Sequence, residues 1–173
     1  MRKAGASLII TTDLYENRRR LSLLAGADLS IDPASKSLGE HVAAMTDGMG
    51  ADIVIEASGQ PAALDAAVKV TAAEGRVVVV SWYGTKRADL NLGSDFHRKR
   101  LTLKSSQVSN LDPSLTPRWT IRRRRNLAVG YLRELMLDEM ISHVLSFNQA
   151  AEAYRLIDHQ PGEVVQVVLD YKQ

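Results

Sequence analysis

Cysteine is absent from all 173 residues. That excludes disulfides and every thiolate metal site, and it fits a reducing compartment. Neither sign of charge dominates: 22 basic residues face 20 acidic ones, for a formal charge of +2. So even a balance gives no electrostatic reason to expect nucleic acid or a membrane surface as partner. No apolar run approaches the roughly 20 residues needed to span a bilayer. Leu8-Ile9-Ile10, behind the basic start Met1-Arg2-Lys3, is too short for a secretory signal and is closed by Thr11, Thr12 and Asp13. Repeats, low-complexity tracts and flexible linkers are missing too. The expectation is a cytoplasmic protein. At 45% hydrophobic and 24% charged residues the chain has the composition of an ordinary folded domain. At this length one domain can bury about 70% of its unfolded surface.

What is present alternates. Short β-branched runs alternate with helical periodicity, the pattern of parallel strands joined by crossover helices. Strands are predicted at 7–12, 28–31, 51–57, 76–81, 101–107 and 164–169. Arg76 to Ser81, RVVVVS, is the clearest of them, because an unbroken valine run suits a strand covered on both faces. Helices are predicted over 15–25, with Leu21 and Leu24 facing inward, and over 38–46, with Val42 and Met45 on one face. Another spans 61–72, with Pro61 in its first turn and Leu64, Ala67 and Val68 on its inner face. A long helix is expected over 118–137, with an apolar stripe of Ala128, Tyr131, Leu132 and Leu135. Ser146 and Gln149 have the spacing of a capping box that opens a helix burying Ala150, Ala153, Tyr154 and Ile157.

Three predicted strand ends carry small or polar residues. Asp13 stands at the end of the first strand, where open parallel sheets bind ligands. An acid there accepts hydrogen bonds from ribose hydroxyls and repels a 2′-phosphate, which favours NAD over NADP. Asp also suits a helix N-cap, and the two readings weigh equally. Arg18 and Arg19, about a turn later, would tolerate a phosphate, so NADP stays admissible. Glu56-Ala57-Ser58-Gly59 ends another strand. Small residues let a flat cofactor approach the backbone, although taken alone an ordinary strand-to-helix turn explains them better. Ser81-Trp82-Tyr83-Gly84 ends the valine strand. Their coincidence points to one ligand-binding edge more strongly than any one of them.

Two other features invite chemistry and receive a structural reading. His41, His97, His143 and His159 are too widely spaced for a helical metal site. Arg122 to Arg125, near Arg118 and Trp119, form a basic cluster beside an aromatic, but with balanced charge and no recognition module a solvated helix face, or a wall near the substrate cleft of a full enzyme, is the better reading.

The segments TDGMGADIVIEASGQPAAL (46–64) and EGRVVVVSWYG (74–84) now bear on one another. Together with the Asp13 to Arg18 spacing and Gly26-Ala27-Asp28, they resemble the cofactor domain of zinc-type medium-chain dehydrogenases, the group of sorbitol, threonine and related alcohol dehydrogenases. The resemblance covers nearly the whole chain, ending in AAEAYRLI and VVQVVLDY. It implies an α/β fold with a Rossmann-like, doubly wound, mostly parallel sheet. It also implies binding roles: Asp13 for the adenosine ribose, Arg18 along the adenine, and Ala57, Ser58 and Gly59 along the cofactor's middle. Ser81, Trp82 and Tyr83 would approach the nicotinamide ribose, and Ser105, Ser106 and Gln107 the carboxamide.

The departures shape the functional expectation. The family's G-x-G-x-x-G loop lies about 20 residues before the ribose-binding acid, and the pattern occurs nowhere in this sequence. Lys3-Ala4-Gly5-Ala6 resembles the tail of the helix that follows that loop. The expectation is therefore one truncated dinucleotide-binding domain over 1–173, with a carboxyl-terminal helix and strand, lacking its first strand, its glycine loop and the zinc-binding catalytic domain. Losing a middle strand leaves two neighbours unpaired, at about 1–3 kcal/mol for each buried group against a total stability of about 5–15 kcal/mol. Either the neighbours close up, or a partner fills the gap, or the chain is marginal. The implied activity is NAD(P)-dependent hydride transfer with a small alcohol or polyol, inactive in this chain alone, with zinc only in a full-length form and no catalytic or metal residue here. The alternative is a non-catalytic partner that pairs by its sheet edge with a complete dehydrogenase or with itself as a homo-oligomer. A methyltransferase, which also uses an acid to hold a ribose, is the third reading.

Overall fold

The computed structural model of the protein describes residues 1–35, 38–135 and 137–172. Internal contacts divide it into two compact units, Lys36–Ile121 and the combination of Met1–Ser35 with Arg122–Gln173.

The unit Lys36–Ile121 is built on a three-stranded parallel sheet of order β3-β4-β5: Ala51–Glu56, Thr71–Val79 and Thr102–Ser105. Helix α2, Leu38–Met45, precedes it, and α3, Pro61–Val70, crosses from β3 to β4. Pro61 opens α3, where its missing N–H costs nothing. At the other end Lys99 Nζ donates to the carbonyls of Lys69 and Thr71 at 3.0 and 3.1 Å, a cation where the helix dipole favours one. Leu64, Ala67 and Val68 recur at helical spacing and are buried with Val77 and Leu101. Val77, 1% exposed, is the valine that the RVVVVS run places at the centre of this core. The turn from α2 into β3 requires Gly50. Its φ is +88°, and a Cβ there would lie 2.8 Å from the Val70 carbonyl oxygen.

The other unit contains two further β-α-β segments. β1 (Ile10–Thr12), α1 (Glu16–Leu24) and β2 (Leu29–Ile31) form a parallel pair with its crossover. β6 (Ile141–Ser146), α5 (Ala150–His159) and β7 (Gln166–Asp170) form another. The unit also holds most of α4, Ile121–Leu132. Arg2 clamps Asp28 through both carboxylate oxygens at 2.8 and 2.7 Å, and Asp28 also accepts the Ile9 N–H. This clasp, led by the Arg2 hydrogen bond, holds the Asp28 carboxyl below its ordinary value. Lys3 pairs with Glu134 and sits over the Tyr131 ring. The capping box at Ser146 and Gln149 is present, opening a short 3₁₀ turn that runs into α5.

Every strand ladder is parallel, and the α/β architecture is Rossmann-like. Among the described residues β1 is paired on one side only, by β2, and β3 on one side only, by β4. Among the described residues no helix is long and apolar enough to cross a membrane.

Several expectations need correction. β6 was not predicted: Ile141-Ser-His-Val-Leu-Ser lacks a β-branched run, and it is a strand because β7 pairs with it along its length. Helix α4 is shorter than the expected 118–137, whose residue Met136 lies outside the described residues. Its stripe of Ala128, Tyr131, Leu132 and Leu135 is exposed. Leu24, Met45, Tyr154 and Ile157 are exposed as well. Periodicity shows which residues share a face, whereas burial needs a second surface against that face.

Candidate functional site

The three strands of the Lys36–Ile121 unit end level with one another. The register sets Glu56 beside Val79, and Val79 beside Ser105. Because the strands are parallel, their carboxyl ends share one edge, the kind of edge at which open α/β sheets bind ligands. Residues 57–59, 81–83 and 106–107 leave the sheet there together.

Glu56 is the centre of this edge. It is 3% exposed, yet its carboxylate is richly supplied with donors. Oε1 accepts the Ser58 N–H at 2.7 Å, the Ser58 hydroxyl at 2.5 Å and the Gly59 N–H at 3.1 Å. Oε2 accepts the hydroxyls of Ser81 and Tyr83. Burial pushes the Glu56 carboxyl upward, but the hydrogen bonds from Ser58, Ser81 and Tyr83 together outweigh it, and the group stays below its ordinary 4.5. Burial, followed by the bond to Glu56, pushes the Tyr83 phenol up to about 12. At neutral pH the site is therefore a carboxylate with neutral hydroxyls.

The turn after β3 is equally specific. Gly59 has φ +66°, and a Cβ would stand 2.9 Å from the Trp82 carbonyl oxygen. The backbone after β3 and the backbone after β4 thus touch, and only glycine permits it. Lys86 Nζ donates to the Gly59 carbonyl at 3.0 Å, fastening the loop after β4 to the same turn. Trp82, 89% exposed, carries its ring outward.

The predicted residues of this unit fall as follows. Ala57 and Ser58 are exposed, Gly59 is buried, and Ser81 and Tyr83 are half-buried. Ser105, Ser106 and Gln107 are exposed. The Ser106 N–H continues the ladder to the Val79 carbonyl at 2.8 Å, and the Gln107 side chain accepts the Ser109 N–H. The sequence reading includes Glu56 in the Glu56-Ala57-Ser58-Gly59 turn but gives it no role of its own. An acid as the last residue of a buried strand, followed by Ser and Gly, was the available signal.

In the other unit Asp13 directly follows β1. Its Oδ1 accepts the Tyr15 N–H at 2.9 Å, an Asx-type turn ahead of α1, and Oδ2 stands 3.9 Å from Arg18 Nη1. The N-cap itself is Tyr15. Arg18 Nη2 donates to the carbonyls of Pro161 and Val164 at 2.7 and 2.8 Å, while the guanidinium lies 5.0 Å from the centre of the Tyr15 ring. Arg18 thus ties α1 to the segment entering β7.

Among the described residues no group of three or more His, Asp or Glu is placed to hold a metal ion. With no cysteine in the chain, these donors do not fit a zinc site.

The chain belongs to the zinc-binding dehydrogenase family, whose profile matches residues 1–122. It is 27% identical over 172 residues to D-guloside 3-dehydrogenase of Escherichia coli (strain K12), covering 96% of this chain and 48% of that protein. It is 32% identical over 166 residues to L-threonine 3-dehydrogenase of Symbiobacterium thermophilum, covering 95% of this chain and 45% of the relative. The chain spans about half the length of the curated relatives it matches. A crystal structure described as a short chain alcohol dehydrogenase of Escherichia coli, complexed with NADH, superposes with a TM-score of 0.74 at 21% identity, over 96% of this chain and 45% of that one. At that identity the likeness concerns the fold.

Proposed function

We propose that this chain is the cofactor-holding part of an oxidoreductase that transfers hydride between an alcohol or polyol and a nicotinamide dinucleotide, NAD in preference to NADP. One observation carries the reading: Glu56, Val79 and Ser105 lie in one row, so that three segments rich in small and polar residues turn away from a single sheet edge. The NADH in the Escherichia coli structure supports it. Ser58, Ser81 and Tyr83 would hold the cofactor's middle and nicotinamide ribose, and residues 105–107 its carboxamide. The Asp13 carboxylate would accept adenosine ribose hydroxyls and disfavour a 2′-phosphate. The bound cofactor would supply the hydride chemistry; the residues of this chain bind and orient it. We place the protein in the cytoplasm.

The 173-residue polypeptide binds the cofactor weakly, since its sequence lacks the glycine loop whose amides receive a pyrophosphate. Amide chemical-shift titration with millimolar NAD should perturb residues 57–59, 81–83 and 105–107, while S-adenosylmethionine should not. Perturbation confined to other residues would refute the site, and a micromolar dissociation constant would refute the weak binding.

A second reading is favoured by the one-sided pairing of β1 and β3. Strands with an unpaired side are templates for another chain, and a complete dehydrogenase subunit, or a second copy of this chain, would be the partner. It requires a stoichiometric complex on co-purification.

A further inference from the structure

We infer that Glu56 is a positioning residue that fixes the polarity of the sheet edge, turning the hydroxyls of Ser58, Ser81 and Tyr83 inward as donors so that they face a ligand only as acceptors. An ionised carboxylate has no proton to give, so each hydroxyl that meets it must donate. Oε1 takes the Ser58 hydroxyl and Oε2 those of Ser81 and Tyr83. Each hydroxyl has a single proton, committed to Glu56; for Tyr83 the carboxylate at 2.9 Å is the stronger acceptor than the Gln60 carbonyl at 3.5 Å. What remains is lone pairs. Ser58 gives one of its own to the Gln60 N–H at 3.2 Å, and toward any further donor Ser81 and Tyr83 can act only as acceptors.

Such an edge selects by hydrogen-bond direction. It suits a ligand portion that donates, such as a ribose diol or a carboxamide N–H, and it offers nothing from these hydroxyls to a phosphate, which only accepts. The buried negative charge of Glu56 opposes an anion further. Lys86 is the cation at this turn, and its ammonium already serves the Gly59 carbonyl. The inference rests on reading this edge as the ligand-binding one, and it adds the chemical class of ligand group that the edge accepts.

Ultraviolet titration of the tyrosinate band tests Glu56 without any ligand. Subtracting a Tyr83→Phe variant isolates Tyr83 from the other four of the five tyrosines. In the native chain Tyr83 should titrate near 12, and Glu56→Gln should lower that by about one pH unit or more, because the carboxylate that disfavours the phenolate is gone. An unchanged Tyr83 titration in a folded Glu56→Gln variant overturns the proposal. Should that variant fail to fold, carboxyl ¹³C titration of the native chain decides: a Glu56 midpoint below 4.5 supports the proposal, and one above it overturns it.

The ligand class is tested on the native chain with ribose and inorganic phosphate at equal concentration. Ribose should shift the amide signals of residues 57–59 and 81–83 more than phosphate does. Equal or larger shifts with phosphate overturn the selectivity. No shift with ribose overturns the reading of the edge itself, whereas the tyrosine titration judges Glu56 independently.

Discussion

The two units are held together by different means. In Lys36–Ile121 a strand paired on both sides, β4, carries Val77 into a cluster with Leu64, Ala67, Val68 and Leu101. In the other unit both sheets have two strands, and the buried apolar residues are few: Ile9, Ile31, Ala153 and Val164. Directed polar contacts do more of the work there. Arg2 clasps Asp28, Arg18 reaches two carbonyls near β7, and Thr11 bonds to the hydroxyls of Ser22 and Ser30. A central strand lets helix and sheet bury apolar surface against one another. A two-stranded parallel sheet has little face to offer and is held by what can reach across it.

Substitutions at three positions would break or sharpen that contrast, each followed by urea unfolding and by amide exchange at Val77 and Ile31. Leu64→Ala should have the largest effect, about 2–5 kcal/mol, because it opens a cavity in a packed core. Its loss should register first at Val77. Arg18→Ala should cost about 1–3 kcal/mol by leaving the Pro161 and Val164 carbonyls without their donor. Faster exchange should appear at the entry to β7, and Arg18→Lys, a point charge without the fork, should restore only part of it. Leu132→Ala, at an exposed position of α4, should change stability by no more than about 0.5 kcal/mol. A Leu132 cost equal to that of Leu64 would show that the α4 stripe is covered in solution and would erase the contrast.

Much of the fold was legible in the residues. The valine run of β4, Pro61 before an apolar helical face, and the Ser146-to-Gln149 spacing are local instructions, and each produced the element that it announces. The site was half legible. Small residues after successive strands pointed to a ligand edge. Glu56 belongs to that pattern, but its role is not legible because it depends on Ser81 and Tyr83, 25 and 27 positions away. Arg18 was read as a cofactor contact by position in a motif, while its bonds to Pro161 and Val164 span 143 and 146 positions. No window on the sequence contains both ends of such a bond.

The sequence by itself determined the succession of strands and crossover helices, the glycines at the tight turns and the family resemblance, because propensity, turn chemistry and side-chain periodicity act between near neighbours. Tertiary structure alone decided that segment 141–146 is a strand, that the α4 stripe stays exposed, and that one buried carboxylate gathers the hydroxyls of two strand ends. Those outcomes depend on which distant surfaces meet, and burial, pairing and the ionisation of Glu56 exist only once they have met.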